Sequence, residues 1–430
     1  MIHIKQLFTG VFLWLWALGL GAQIRGEEIR VLVSPDHADW CYQLGEKCTF
    51  TVRVLRAQNL VPDARIDYEL GPEFFPAEEK KSCSLKNGEL RLSATMKEPG
   101  FLRCKVKATV DGRSYTGLAT CAYAADRLQP VTPLPEDFQS YWEGQLAYAR
   151  QTPLDLKKTL LPERCTATDD VYHVSFQTLP WGGRFYGILT VPKKEGRYPA
   201  LLRVPGAGVR PYSGDTYTAP GRLIVLEVGI HGIPVTMEQP IYDALMAGAL
   251  NDYPSYGCDN RDRHYYRRVI IGAARAVDVI CSLPQYNGEA LAVCGSSQGG
   301  ALSIITAALD RRVTCLAPVH PALCDHEGFL QHRAGGWPHF YHRNATPSEQ
   351  MKQTLRYYDV ANFARLLSVP GWYSWGYNDE VCPPTSMYAA YNAITAPKEL
   401  HLYLETGHYW YQEQWDEWQK WIREQLKIAE

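Results

Sequence analysis

The chain has 430 residues, of which 46% are hydrophobic and 21% charged, and its formal net charge is −2. That length exceeds one ordinary domain, and the balance is that of a globular protein with ample core material. No run of Lys and Arg stands out, which argues against nucleic acid or an anionic membrane as partner.

At the N-terminus Lys5 precedes an uncharged apolar stretch over residues 7–22, and charge resumes at Arg25, Glu27 and Glu28. This pattern predicts a signal peptide over residues 1–22, cleaved near Ala22, and hence a secreted or periplasmic protein. The competing reading is an uncleaved anchor, but the stretch is short for a membrane span and lacks a stop-transfer flank. No other stretch predicts a span. The chain has 12 Cys, and an exported protein meets oxidising conditions in which thiols pair. Cys41, Cys48, Cys83, Cys104 and Cys121 fall in the N-terminal part, and their spacing does not define a pairing. No CxxC or His-rich spacing predicts a metal site, and no cofactor is expected.

Residues 27–125 read as a small all-β unit. Alternating runs recur at 29–33, 49–54, 90–94 and 104–110; Asp111-Gly112 then supplies a hairpin turn and 114–122 a return strand. Period-two alternation with turns at this spacing predicts an immunoglobulin-like β-sandwich. A packing or spacer module is the favoured role and a carbohydrate-binding module the sharper one. Residues 126–150 form a Pro-containing linker, 129–135, and an amphipathic opening helix, 137–150, carrying Phe138, Trp142, Leu146 and Tyr148.

From 151 to 430 strands alternate with helices. An antiparallel pair is expected at 171–178 and 185–191, then strands at 199–204, 222–228, 290–294, 313–318, 371–375 and 400–404. Helices are expected at 262–283, 301–309 and 411–426. That alternation predicts an α/β fold with a mainly parallel sheet covered on both faces.

Gly295-Ser296-Ser297-Gln298-Gly299-Gly300 fits G-x-S-x-G between a buried strand and a helix, the setting of a nucleophile elbow. Ser297 occupies its central position, and Ser296 is the rival. Cys294, in the strand before the elbow, reads as buried packing. A Ser hydroxyl needs a base to take its proton and an acid to orient that base. On this fold the chain order is Ser, acid, His. Asp379 follows the strand 371–375 and His408 follows the last strand, both at strand C-terminal ends. Glu380 competes with Asp379 as the acid. The oxyanion hole is expected from the backbone N–H of Gln298 and of Ala207, in the Gly-containing loop after 199–204. His231 reads as structural. Arg261, Arg263, His264, Trp337, His339 and Tyr341 sit in long loops and read mostly as surface or contact residues, with a pocket mouth as the alternative.

These residues together resemble the acetyl xylan esterase and cephalosporin-C deacetylase family of carbohydrate esterases. The resemblance runs from Pro135 to the C-terminus and leaves out the β unit. It rests on Leu134-Pro135-Glu136-Asp137-Phe138 with Tyr141-Trp142, on Gly183-Arg184-Phe185-Tyr186-Gly187, and on Tyr265-Tyr266-Arg267 with Arg275-Ala276-Val277-Asp278. It rests further on the Ser-Gln-Gly-Gly elbow, His320-Pro321-Ala322-Leu323-Cys324-Asp325, Tyr358-Asp359, Asp379 with Val381-Cys382-Pro383-Pro384-Thr385, and Gly407-His408. It implies an α/β-hydrolase that removes acetyl groups from sugar hydroxyls, xylan fragments above all, and a homo-oligomer. It supports Ser297, Asp379 and His408 one by one. Two motifs depart from the family. Its Arg-Gly-Gln is replaced by Gly229-Ile230-His231-Gly232-Ile233, and its His-Gly-Tyr by Pro205-Gly206-Ala207. The expected function is thus a secreted serine esterase acting on acetylated xylo-oligosaccharides or related sugar esters. The alternatives are a serine peptidase or an esterase of another α/β-hydrolase family acting on a different acyl substrate, and a binding protein that kept the fold.

Overall fold

The computed structural model describes residues 28–180, 183–343 and 346–428. The expected signal peptide, residues 1–22, lies outside the described residues. Among those described, no helix is long and apolar enough to cross a membrane.

The N-terminal part contains β1 (Ile29–Ser34), β2 (Cys41–Tyr42), β3 (Cys48–Arg56), β4 (Asn59–Leu60), β5 (Arg65–Pro72), β6 (Glu79–Ser84), β7 (Glu89–Ala94), β8 (Gly100–Val110) and β9 (Arg113–Tyr123). One sheet runs β1-β3-β4 with β7 also on β3; the other runs β2-β9-β8-β5-β6. Period-two alternation builds both. In β8, Cys104, Val106, Ala108 and Val110 are buried while Lys105 and Lys107 face solvent. The β8–β9 turn uses Asp111 and Gly112, both at positive φ (49° and 73°), as a two-residue hairpin of this twist requires. Phe50, Val52 and Val54 of one sheet share a core with Ile66, Tyr68, Leu70 and Val106 of the other.

The chain then crosses to the second part along a pinned segment rather than a loose linker. The Asp325 carboxylate accepts from the N–H groups of Val131 and Thr132 at 2.8 and 2.9 Å, and the Thr132 hydroxyl donates to Asp359 at 2.9 Å. Helix α1 (Phe138–Arg150) follows, burying Phe138, Tyr141, Trp142 and Leu146.

A nine-stranded sheet organises the rest, in the order β10 (Lys157–Leu160), β11 (Asp169–Leu179), β12 (Gly183–Pro192), β14 (Ile224–Gly229), β13 (Tyr198–Arg203), β15 (Tyr286–Ser296), β16 (Cys315–Val319), β17 (Gly371–Trp375) and β18 (Lys398–Leu402). The pairs β10–β11, β11–β12 and β12–β14 are antiparallel, and every pair from β14 onward is parallel. The helices are α2 (Gln239–Ala247), α3 (Tyr265–Ser282), α4 (Gln298–Leu309), α5 (Phe340–Arg343), α6 (Glu349–Arg356), α7 (Val360–Ala364), α8 (Pro384–Asn392) and α9 (Gln412–Gln425). Alternate strand residues serve opposite faces. Leu202, Val293 and Leu316 pack with Val269, Ile270 and Leu302 of α3 and α4, while Leu201, Ala292 and Cys294 pack with Trp418 and Trp421 of α9. Both faces are therefore dry, and the parallel strands read as continuous apolar runs.

The sequence expectation lacked β2, β4, β5, β6, α5 and α7, and three further differences have a local cause. Helix α4 begins at Gln298, not Ala301, because the elbow feeds directly into it despite Gly299 and Gly300. Edge strand β10 was not expected; all four of its residues are exposed, so it carries no alternation to read. The helices α2, α6 and α8 are only 9, 8 and 9 residues long, too short for a helical period to stand out, and α8 is buried from Pro384 to Ala390 and so has no polar side there.

Candidate active site

The C-terminal ends of the parallel strands carry every candidate residue. Strand β15 delivers Ser297, β17 leads to Asp379, β18 leads to His408, and β13 leads to the 205–208 loop.

Ser297 stands between β15 and α4 at φ 61° and ψ −124°, a region that costs a non-Gly residue about 1–3 kcal/mol. Its neighbours hold it there. The Ser297 N–H donates to Val319 O at 2.8 Å, and the Ala322 N–H donates to Ser297 O at 3.1 Å. Close approach explains the flanking glycines: a Cβ on Gly295 or on Gly299 would lie 2.4 Å from Val204 O. Ser296 instead completes β15, paired with Val319, so its backbone stays in the sheet.

Asp379 is fully buried, and its Oδ2 accepts a 2.8 Å hydrogen bond from His408 Nδ1. Its Oδ1 accepts from the N–H groups of Val381 and Cys382, each at 2.8 Å. Burial alone would raise the Asp379 carboxyl; the His408 hydrogen bond, the nearby imidazoles and the Cys382 N–H outweigh it and hold it below the usual carboxylate range. Since a carboxylate only accepts, His408 carries its proton on Nδ1 and leaves Nε2 as a base. Glu380, the competing acid, turns away and pairs with Lys105 at 2.9 Å on the surface.

His320 was not expected here. It follows β16 at φ 44°, is 1% exposed, and puts Nδ1 3.4 Å from the same Asp379 oxygen, with its ring 5.2 Å from that of His408. Burial pushes it down to about 4, so at neutral pH it is an uncharged imidazole packed on the carboxylate. The donor atoms of His320, Asp379 and His408 lie within 4.8 Å of one another, a grouping of metal-ligand types. The His408–Asp379 hydrogen bond and the strained Ser297 on a neighbouring strand end also match what a nucleophilic site requires. Cys382 is buried next to them: its thiol is pushed well above its ordinary value, by burial first and then by the Asp379 charge, so it remains a thiol.

The loop after β13 is fixed through its carbonyls. Gln298 Nε2 donates to Pro205 O at 3.2 Å, Arg210 donates to Gly206 O at 3.3 Å and to Ala207 O at 2.9 Å, and His231 Nε2 donates to Gly208 O at 3.0 Å. Gln298 is itself held, its Oε1 accepting from Tyr253 at 2.6 Å and Tyr266 at 2.8 Å. His231 accepts from Tyr265 at 2.7 Å, and burial lowers it to about 4, so it acts as a neutral strut. Gly206 packs against the elbow, where an added Cβ would lie 3.9 Å from Ser297 Cβ. As the first residue of α4, Gln298 presents one of the free N–H groups of a helix N-terminus.

A cavity of about 360 Å³ opens beside this loop, lined by Ala207, Gly208, Met246, Tyr253, Trp337 and Arg343 among others. A larger cleft of about 540 Å³ contains Arg261 and Tyr357 and none of the candidate site residues. Of the other long-loop residues, His264 and Tyr341 are buried, and Arg261 pairs with Asp137 at 2.8 Å. Trp337 alone among them lines the cavity at Ala207.

Comparison with known proteins gives the family and the fold. The sequence model of the acetyl xylan esterase (AXE1) family matches residues 125–425. Acetyl esterase Axe7A of Xylanibacter ruminicola is 37% identical over 433 residues, spanning 98% of this chain and 97% of that protein, so the likeness extends across the β unit. The acetyl xylan esterase from Paenibacillus sp. R4 shares the fold with a TM-score of 0.61 at 25% identity, covering 70% of this chain and 98% of that one. Acetyl xylan esterase 1 from Thermoanaerobacterium sp. JW/SL YS485 gives 0.58 at 26%, covering 70% and 97%. The nine-stranded part is an α/β-hydrolase with a mixed, mostly parallel sheet. The chain belongs to the acetyl xylan esterase family and is a carboxylic ester hydrolase.

Proposed function

We propose that the protein is a secreted serine esterase that removes acetyl groups from acetylated xylo-oligosaccharides or related sugar esters through an acetyl-Ser297 intermediate. The 2.8 Å His408–Asp379 hydrogen bond beside the strained Ser297 carries the reading. Ser297 Oγ attacks the acetyl carbonyl carbon and passes its proton to His408 Nε2, while Asp379 stabilises the imidazolium. The N–H groups of Gln298 and Ala207 receive the oxyanion, each worth roughly 2.7–4 kcal/mol in the transition state. The acyl C–O bond to the sugar breaks, and His408 returns the proton to the sugar oxygen. Water, deprotonated by His408, then attacks the acetyl-Ser; Ser297 Oγ leaves, is reprotonated, and acetate departs.

Export rests on the N-terminal pattern of residues 1–22, and the sugar class on the family and on Axe7A. The domain scheme is a signal peptide to residue 22, an immunoglobulin-like β-sandwich over 27–125, a linker and opening helix over 126–150, and the catalytic domain over 151–430. The two facing sheets that share the Phe50–Val106 core support the sandwich.

Acetate release from acetylated xylo-oligosaccharides, measured beside 4-nitrophenyl acetate and butyrate with wild type and Ser297→Ala, tests the proposal. Release from both acetates with little from butyrate, abolished in the variant, is expected. Turnover of the nitrophenyl esters alone would reject the sugar assignment, and unchanged release by Ser297→Ala would reject the nucleophile.

A further inference from the structure

The acid loop between β17 and α8 is held from outside its own domain. Arg103, on β8 of the N-terminal β unit, is 9% exposed and reaches across the boundary. Its Nη2 donates to the backbone carbonyl of Asp379 at 3.1 Å and to that of Tyr377 at 3.4 Å. The guanidinium is anchored at home by Thr120 Oγ1, 2.9 Å from Nε, and by Glu73 Oε2, 3.2 Å from Nη2. Glu73 in turn accepts from the Thr385 N–H at 2.9 Å, in the first turn of α8, where the loop ends.

Other contacts follow the same line. The Asn378 side-chain amide donates to Leu118 O on β9 at 3.1 Å. Phe101 of β8 packs edge-on to the Tyr377 ring, with centroids 5.0 Å apart. Residues on both sides of Asp379, and its own carbonyl, are thus tied to the β unit. The carboxylate of the same residue binds His408.

We infer that the β unit is a working part of the catalytic site, with Arg103 and Glu73 as positioning residues that clamp the 377–385 loop and so set the placement of the Asp379 carboxylate against His408. The inference rests on Asp379 being the acid of the proposed mechanism. A guanidinium suits the task because Nε–H and the two N–H groups of Nη2 are fixed in one plane, so that Nε is held on the Thr120 hydroxyl while Nη2 is shared among the Glu73 carboxylate and the two loop carbonyls. A displacement of about 1 Å at a catalytic group can cost on the order of a hundredfold in rate. The clamp therefore acts on turnover and not on substrate affinity.

The test uses the full chain and 4-nitrophenyl acetate, with kcat expressed per serine titrated to completion by an active-serine phosphonate, so that misfolded protein is not counted. Arg103→Met should lower kcat per titrated site about tenfold to a hundredfold with KM within about twofold. Arg103→Lys should recover part of that loss. Lys105→Gln, which breaks only the exposed pair to Glu380, should leave kcat within about twofold. Should Arg103→Met fail to fold, the near-isosteric Thr120→Val, which removes one anchor of the guanidinium, should shift kcat in the same direction by a smaller factor. A normal kcat per titrated site in these variants, or a change confined to KM, would overturn the clamp. A normal kcat in Asp379→Asn would instead reject the acid assignment and leave Arg103 a structural residue.

Discussion

In the proposed mechanism the acid is the carboxylate that is both buried and aimed at the imidazole. Asp379 is fully buried, accepts two backbone N–H bonds on Oδ1 and gives Oδ2 to His408, while Glu380 spends its charge on Lys105 in solvent. Asp379→Asn should therefore lower kcat by about four orders of magnitude, by favouring the wrong imidazole tautomer. Glu380→Gln should leave it within about twofold; steady-state kinetics of the pair checks this, and a larger loss in the Glu380 variant would reverse the assignment. The G-x-S-x-G motif made Ser297 a candidate, and chain order, strand-end position and the family resemblance added Asp379 and His408. They left Ser296 and Glu380 open as rivals, and their separation needed backbone geometry. His320, Arg103 and Glu73 could not be read at all. Arg103 lies 276 residues from Asp379 in the chain, and a contact of that span leaves no local pattern.

At the scale of elements, what sequence makes visible is periodicity, and its blind spots are physical. The central strands were legible because both faces are buried, giving runs such as Leu291 to Cys294, and the β8–β9 hairpin because Asp111-Gly112 supplies two positive φ values. Strand β10 was illegible because an edge strand exposed at every residue has no apolar face. The elbow depends on three neighbours together. The chain just after β13 offers Val204 O, β16 offers Val319 O, and Gly299 and Gly300 in the first turn of α4 admit both. The divergent loops at Pro205 and His231 hold the backbone by another route: Arg210, His231 and Gln298 fix four successive carbonyls. The backbone of that loop is thus held although its side chains differ from the family's motif.

Across the whole molecule, the boundary between the β unit and the hydrolase carries a buried ion pair, Arg103–Glu73 at 3.2 Å. Burial raises Glu73 to about 6 against the pull of Arg103. A carboxyl whose pKa is raised by folding binds its proton more tightly in the folded state. Its contribution is then fully present below the unfolded value of 4.5 and is lost as pH rises through about 6. The Glu73→Gln variant should gain about 2 kcal/mol on wild type as pH goes from about 4 to about 7, whatever offset the lost ion pair adds. Denaturant unfolding of both proteins across that range checks it, and a pH-independent difference would show that Glu73 does not titrate there. The β unit holds the backbone of the 377–385 loop, in addition to packing beside the hydrolase. Its share in the site was hidden from sequence because no motif marks a residue that works through a neighbour's backbone.

The central claim is that Ser297 carries the acetyl group between sugar and water. Acid-quenched turnover of an acetylated xylo-oligosaccharide, followed by peptide mass spectrometry, tests it most directly. The account predicts an acetyl adduct on the peptide containing residues 295–300, assigned by fragmentation to Ser297 and absent from Ser297→Ala. An adduct on Ser296 or Cys382, or acetate release that persists in the variant, would contradict it.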